Sequence, residues 1–271
     1  MTSIVYIVAG LSSRFGGKIK PFARVGPDRE PLIEISLNRA IKAGFDRGIF
    51  VVGNETEQAF KEYFGTRYKG IPIEYALQSY DKETRDKPWG TADAVCSAKY
   101  LLDELNESFL ICTGDDLYSE ETFRTLFNHS KNEPANATVG YPLNQHLPEE
   151  GEVNRGIFHI KEGFVTSAEE VHNISRRNYE EKGLTPYTPC NIGIFLLKPE
   201  TLNKINEILL DFKERNKHNR TIECYINVEL GNLIKNQQAV LRYYEGTGQL
   251  LGITNPEDEQ IVREILKKQN L

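Results

Sequence analysis

The stretch Ser3-Ile-Val-Tyr-Ile-Val-Ala-Gly-Leu-Ser-Ser-Arg-Phe-Gly-Gly-Lys-Ile-Lys-Pro21 decides the fold. Its residues 4–8 are apolar and mostly β-branched, which is typical of a strand covered on both faces inside a parallel sheet. Small residues follow at 9–13, and the cations Arg14 and Lys20 come next. Small residues allow a close backbone approach, and N–H groups beside two cations suit phosphate, so we interpret the stretch as a phosphate-binding loop. An ordinary strand and turn with surface charges is the alternative interpretation.

Two common phosphate-binding loops do not fit this stretch. A P-loop requires Ser or Thr after its Gly-Lys pair, but Lys18 is followed by Ile19, so no hydroxyl is placed for Mg²⁺. The dinucleotide fingerprint G-x-G-x-x-G has Ser12 and Phe15 at two of its three glycine positions. Neither an ATPase loop nor a dinucleotide-binding turn is therefore predicted.

The rest of the chain alternates strands and helices in its first half. Strands are predicted at 48–53, 72–78 and 109–112, and helices at 31–43, 57–64 and 91–105. This alternation predicts right-handed parallel crossovers and a doubly wound sheet. In the second half we predict strands at 137–141, 156–160 and 190–197, helices at 199–215 and 256–268, and loops with a small antiparallel flap at 142–189.

Composition excludes several classes of protein. A net charge of −6 and a pI near 5.6 argue against a nucleic-acid surface. Residues 1–3 lead directly into a core strand, so we predict no signal peptide, and no apolar run approaches the roughly 18–20 residues that span a bilayer. The four cysteines are far apart, which favours reduced thiols, and the five histidines show no metal spacing. We expect a soluble, cytoplasmic protein.

Gly114-Asp115-Asp116 follows a predicted buried strand. Adjacent carboxylates at the carboxyl edge of a sheet suit Mg²⁺, which takes oxygen ligands and bridges to substrate phosphates. Many strands also end in a solvated turn of this composition, so the motif alone does not establish a metal site.

A second binding region is indicated by Gln78 and the segment Lys87-Pro-Trp-Gly-Thr-Ala-Asp-Ala-Val95. Gly90 predicts a turn of close approach, and Thr91 is the predicted N-cap of the following helix. A glutamine amide offers both a donor and an acceptor, as recognition of a base requires. Gln78 could equally cap the end of a strand.

These motifs resemble those of the sugar-phosphate nucleotidyltransferases, whose phosphate-binding loop reads A-G-x-G-[ST]-R…K. They also resemble those of a bacterial subgroup of this family that carries P-W-G-T-[AG]-x-A-V. The resemblance implies a mixed, mostly parallel α/β sheet of the GT-A-like kind with a small sugar-binding insertion. It implies that Arg14, Lys20 and Asp115 are catalytic and that Asp115 and Asp116 hold Mg²⁺. Nucleotide-binding residues carried over from it are Ala9, Gly10, Leu11, Ser12, Ser13, Gln78, Gly90 and Thr91. Ser12 departs from the family's second glycine.

Matches to the same family continue in the second half. Gly156, Glu170 and Asn191 resemble its sugar-phosphate residues, whereas Gly252 falls where many relatives have a second metal-binding aspartate. Since the chain shows no internal repeat and no long linker, we expect one domain, with a nucleotide-binding half at 1–120 and a sugar-phosphate half at 121–271. Its substrates would be a nucleoside triphosphate, with UTP or dTTP favoured and CTP open, and a sugar 1-phosphate. A homo-oligomer is left open, and no nucleic acid or membrane partner is expected.

Two other functions remain compatible with these residues. One is a GT-A-like glycosyltransferase that consumes a nucleotide sugar, against which Arg14 and Lys20, placed for a triphosphate, argue. The other is a non-catalytic nucleotide-binding regulator, for which Ser12 and Gly252 are the signals. Both have the same expected fold, so only the site can separate them.

Overall fold

A computed structural model describes residues 1–10, 19–104, 106–148, 150–253 and 257–269. The first half of the chain contains β1 (Ser3–Ile7), α1 (Leu32–Ala43), β2 (Arg47–Val52), α2 (Glu57–Phe64), β3 (Arg67–Tyr68), β4 (Ile71–Leu77), α3 (Thr91–Ser97), α4 (Lys99–Leu102), β5 (Phe109–Thr113) and β6 (Asp116–Leu117). The second half contains α5 (Glu120–Asn132), β7 (Asn136–Pro142), β8 (Val153–Lys161), β9 (Phe164–Ile174), β10 (Pro189–Leu197), α6 (Pro199–Arg215), α7 (Ile226–Lys235), β11 (Leu241–Glu245), β12 (Leu251–Gly252) and α8 (Asp258–Lys268).

A mixed sheet organises these elements. Ten strands follow the order β3-β4-β2-β1-β5-β10-β7-β11-β9-β8. Strands β4, β2, β1 and β5 are mutually parallel, and β10 runs antiparallel to both β5 and β7. The carboxyl ends of the parallel strands therefore meet at one edge, where open α/β sheets bind ligands. The predicted mixed α/β sheet is confirmed, with parallel pairing through β4-β2-β1-β5 and between β7 and β11, and antiparallel pairing between the other neighbouring strands. Strands β8 and β9 pair antiparallel within 142–189, where a small antiparallel flap was expected without bounds for β9.

Helices cover both faces of the sheet. Helices α1, α2 and α5 pack on the face that contains Ile4 and Tyr6 of β1. Helices α3, α6 and α7 pack on the face that contains Val5. All three of these β1 side chains are fully buried, which agrees with the absence of a polar face in residues 4–8. Apolar burial from both sides fixes β1 at the centre of the core, so the loop after it starts from a rigid position.

Some predicted elements differ from the structure. The helix expected at 91–105 is split at Ala98, whose N–H bonds to Val95 O three residues back instead of four, and Leu105 lies outside the described residues. Residue 256, the predicted start of the last helix, is also outside them, and α8 begins at Asp258. Helices α5 and α7 and strands β9 and β11 were not expected. No helix within the described ranges is long and apolar enough to cross a membrane.

Candidate active site

Lys20 and Asp115 lie together at the carboxyl edge of the sheet. Asp115 follows β5, Lys20 opens a short 3-10 turn at Lys20–Phe22, and Lys20 Nζ is 3.5 Å from Asp115 Oδ2. Gly114 allows this contact, since a Cβ there would lie 2.3 Å from Val8 Cγ1 and 3.2 Å from Pro21 Cγ. The end of β5 and the 3-10 turn can therefore approach each other because Gly114, which lies between them, has no side chain. Two of the three predicted catalytic groups are side by side.

Asp116 has a more enclosed environment than its neighbour. Thr113 Oγ1 donates a hydrogen bond to Asp116 Oδ2 at 2.8 Å. Burial raises the pKa of Asp116 to about 7, and the charge of Asp115 adds to the rise, while Arg155 and Lys20 oppose it. The two carboxylates therefore differ in their surroundings, since the Asp115 side chain is 41% exposed and pairs with Lys20.

Gly252 faces Asp116 across the short pair of strands β6 and β12. A Cβ atom on residue 252 would lie 2.7 Å from Asp116 Oδ1, and Ile253 N donates to Asp115 O at 3.0 Å. The space that a side chain at 252 would enter is therefore occupied by the Asp116 carboxylate. This chain places a carboxylate in that region from β6 instead of β12.

The two aspartates fit the requirements of Mg²⁺. Magnesium is bound through one or two carboxylates, keeps several waters and takes substrate phosphates as its other ligands. Among the described residues, no group of three or more His, Cys, Asp or Glu side chains could hold a metal by itself. Asp115 and Asp116 could therefore hold Mg²⁺ together with a bound phosphate, not as a closed protein cage.

The expected base-binding residues come together at the end of β4. Gln78 is buried, and its Nε2 donates to Gly90 O at 3.0 Å and to Asp93 Oδ2 at 2.8 Å. Lys213 of α6 forms an ion pair with Asp93 Oδ1. The donor group of Gln78 is therefore used inside the protein, which differs from the expectation that both halves of the amide face a base.

Gly90 and Thr91 contact the segment that leads into α7. Gly90 has a φ of +100°, and a Cβ there would lie 2.5 Å from Cys224 O. Thr91 was predicted to be the N-cap of its own helix, but that position belongs to Gly90, because α3 begins at Thr91. The Thr91 hydroxyl instead accepts a hydrogen bond from Ile226 N at 3.0 Å and satisfies the first N–H of α7.

A cavity of about 220 Å³ is joined to the carboxylates by Thr113, which lines it and donates a hydrogen bond to Asp116. The predicted sugar-phosphate residues Gly156, Glu170 and Asn191 line it together with Thr91, and Thr113 lies at its β5 side. A Cβ on Gly156 would lie 3.1 Å from Asn191 Cβ and 3.6 Å from Glu170 Oε2, so a larger residue would fill this space. Asn191 is held by Gly193 N, which donates to its Oδ1 at 2.8 Å. The structure thus brings together the residues that the sequence placed far apart.

Other residues of this cavity were missed by the sequence reasoning. Arg155 lines it and also lines a larger groove with Asp116, and its guanidinium donates to His146 O at 3.1 Å. Asn227 Nδ2 donates to Glu170 Oε2 at 3.4 Å. The position of Arg155 directly before the predicted site residue Gly156 could have identified it from the sequence. Asn227 lies in helix α7, which the sequence pattern did not predict.

The predicted phosphate loop is described only in part. Ala9 and Gly10 follow β1 at the same sheet edge, with Ala9 O close enough to Gly53 that a Cβ there would lie 2.6 Å away. Leu11, Ser12, Ser13 and Arg14 fall outside the described residues. Their proposed roles rest on the sequence.

Three curated proteins resemble parts of this chain. The family model "Nucleotidyl transferase" matches residues 17–232. The bifunctional protein GlmU of Lactobacillus johnsonii is 32% identical over 50% of the chain and 27% of its own length. UTP–glucose-1-phosphate uridylyltransferase AglF of Haloferax volcanii is 27% identical over 37% of each protein. D-glycero-alpha-D-manno-heptose 1-phosphate guanylyltransferase of Aneurinibacillus thermoaerophilus is 28% identical over 46% of the chain and 51% of its own length. The matched part thus spans about a quarter to a half of these relatives.

Solved structures share the fold over nearly the whole chain. A Bacillus anthracis protein named provisionally as a glucose-1-phosphate thymidylyltransferase has a TM-score of 0.73 at 16% identity, covering 98% of this chain and 96% of that one. The inositol-1-phosphate CTP transferase of T. maritima has a TM-score of 0.70 at 16% identity, covering 99% and 96%. At such low identity the likeness shows the fold alone.

Proposed function

Because the chain belongs to the nucleotidyl transferase family, we propose that it transfers a nucleoside monophosphate from a nucleoside triphosphate to a sugar 1-phosphate. A phosphate oxygen of the sugar 1-phosphate attacks the α-phosphorus and forms a new P–O bond. The bond between the α-phosphorus and the bridging oxygen breaks, and pyrophosphate leaves with that oxygen. The observation that carries this proposal is the cavity lined by Gly156, Glu170 and Asn191, which Thr113 joins to the carboxylates by its hydrogen bond to Asp116.

The protein contributes alignment and charge, not a nucleophile. Two anionic substrates must approach one another, so cations near the reacting phosphates lower the barrier most when charge develops in the transition state. We assign Lys20 and Arg14 to binding of the triphosphate. Mg²⁺ bound by Asp115 and Asp116 would supply further positive charge to neutralise the phosphates.

The sugar 1-phosphate is proposed to enter the cavity with its phosphate toward Arg155. Arg155 is the one cationic residue among the described residues that line this cavity, and it also lies on the groove that contains Asp116. A guanidinium binds phosphate through paired N–H donors, which suits a substrate placed among carboxylates. Glu170 and Asn227, which contact one another, face the same space and suit sugar hydroxyls.

UTP or dTTP is the favoured nucleotide. Gln78 is proposed to contact the base, and the pairing of its amide nitrogen with Gly90 and Asp93 leaves its oxygen to accept a hydrogen bond from a base N–H. The relatives include a uridylyltransferase and a guanylyltransferase by name, so family membership does not fix the base.

Release of pyrophosphate from a matrix of nucleoside triphosphates and sugar 1-phosphates tests the proposal. The purified chain, with Mg²⁺, is mixed with each pair and assayed for pyrophosphate. We expect turnover that needs both substrates and is lost in EDTA. A glycosyltransferase would instead consume a nucleotide sugar without forming pyrophosphate, and a regulator would bind nucleotide without turnover.

A further inference from the structure

The amide of Gln78 is held in one orientation by two acceptors. Its nitrogen donates to Gly90 O at 3.0 Å and to Asp93 Oδ2 at 2.8 Å, so both of its hydrogens are engaged. The reversed amide would point its oxygen at a carbonyl and a carboxylate, neither of which can donate a hydrogen bond to it. Gln78 is only 6% exposed, and its nitrogen could not exchange these partners for water without moving.

Asp93 owes its position to the second half of the chain. It is 5% exposed, and a buried carboxylate needs a charged or hydrogen-bonding partner. Lys213, 120 residues away on α6, pairs with its Oδ1 and leaves Oδ2 for Gln78. Ser97 Oγ also donates to the backbone oxygen of Asp93 at 2.8 Å, which adds to the local bonding of α3. A continuous series of hydrogen bonds, Lys213–Asp93–Gln78, therefore links α6 to the end of β4.

We propose that Asp93, paired with Lys213, is a positioning residue that selects the base by allowing Gln78 to act only as an acceptor. This inference rests on the proposed function for the assignment of the base to Gln78. A 2,4-dioxopyrimidine presents an N–H at its ring N3, which matches a fixed acceptor. Cytosine presents a lone pair at the same ring position. The Gln78 side-chain oxygen and cytosine N3, which are both acceptors, would then face one another. The nucleotides selected are those of uracil and thymine.

Asp93→Asn separates this role from simple packing. Asparagine has nearly the same shape but can present an amide N–H, so one of the two acceptors that hold the Gln78 nitrogen is removed and the turned amide, with its own N–H toward cytosine N3, becomes more populated. We expect the ratio of dissociation constants, CTP over UTP, to fall by about 10-fold, the scale of one hydrogen-bond match. The measurement is equilibrium titration of UTP and CTP in Mg²⁺, which needs no turnover.

Two further variants complete the test. Asp93→Ala removes the same acceptor without adding a donor and should shift the ratio in the same direction, so it provides a second route if Asp93→Asn does not fold. Asp103→Asn is the matched control, because Asp103 forms an exposed helical ion pair with Lys99 and should leave the ratio unchanged. Thermal unfolding of each variant shows whether it is folded.

The outcomes separate this inference from the proposed function. Equal weakening of UTP and CTP in Asp93→Asn or Asp93→Ala, an unchanged ratio, or a wild type that does not discriminate between them would overturn the positioning role. A wild type that discriminates between the two but releases no pyrophosphate would instead contradict the proposed reaction while leaving the selection by Gln78 supported.

Discussion

At the scale of single residues, Asp115 and Asp116 are adjacent in sequence but differ in their surroundings. Asp115 is 41% exposed and faces Lys20, whereas Asp116 is fixed by the Thr113 hydroxyl and faces Gly252. We expect Asp115→Asn to abolish Mg²⁺-dependent turnover and Asp116→Asn to leave a measurable fraction, because the more accessible carboxylate is better placed for a metal shared with phosphate. Steady-state rates across a Mg²⁺ titration are the measurement. Equal losses, or activity that persists in EDTA, would refute the division of roles.

Arg155 provides a second prediction at this scale. If it binds the phosphate of the sugar 1-phosphate, Arg155→Gln should raise KM for that substrate by about 10-fold or more, since a hydrogen bond to a charged group contributes about 1.5–3 kcal/mol. KM for the nucleoside triphosphate should remain near its wild-type value. Arg177→Gln is the control, because Arg177 is exposed and lines a different surface pocket. Parallel increases in both KM values would place Arg155 outside the sugar-phosphate site.

At the scale of elements, the site depends on a segment that joins its two sides. Residues 219–226 hydrogen-bond to residues 85–92, which we call the base loop. Arg85 donates to Asn219 O at 2.7 Å and to Ile222 O at 2.6 Å. Cys224 N donates to Trp89 O at 2.7 Å, and Ala92 N donates to Cys224 O at 3.1 Å. Asn227, immediately beyond, contacts Glu170 in the sugar cavity. The base loop and the sugar cavity are therefore linked by one short stretch of backbone.

Gly90→Ala tests how closely this segment and the base loop are packed. The new Cβ would meet Cys224 O at 2.5 Å, in addition to the strain of a φ near +100°. We expect it to lower the free energy of unfolding by more than the control Gly70→Ala, which has a φ of +90° and open space around its Cβ. The strain alone costs on the order of 1–3 kcal/mol, so the difference between the variants measures the contact with Cys224. Urea unfolding of both supplies it, and identical losses would contradict the close packing.

At the scale of the whole molecule, strong local patterns were sufficient for much of the fold. Helices α2 and α6 have the predicted ends, and the unbroken apolar run of β1 correctly indicated a central strand. Helix α7 was missed because its N-cap residue, Tyr225, provides no capping hydrogen bond, and the hydroxyl that accepts from its first N–H belongs to the distant Thr91. Strand β9 was missed because its exposed face carries polar residues such as Glu169 and Glu170, which obscure a strand pattern.

The candidate site was predictable where its residues belong to recognisable sequence motifs. Gln78 and Asp115 follow the ends of β4 and β5, and parallel strands bring such ends to one edge. Lys20 reaches the same edge from the loop after β1. The pair Asp93–Lys213 was not predictable, since its members are 120 residues apart and only the packing of α6 on α3 brings them together. The division into a nucleotide-binding half and a sugar-phosphate half remains a prediction.

The most direct test of the proposed reaction follows the atoms of the sugar 1-phosphate. The enzyme is given UTP and a sugar 1-phosphate whose phosphate oxygens carry ¹⁸O, and both products are analysed by mass spectrometry. Attack on the α-phosphorus predicts that all of the label appears in the nucleotide sugar and none in pyrophosphate. Label in pyrophosphate or in free phosphate, or formation of UDP with no pyrophosphate, would contradict the account.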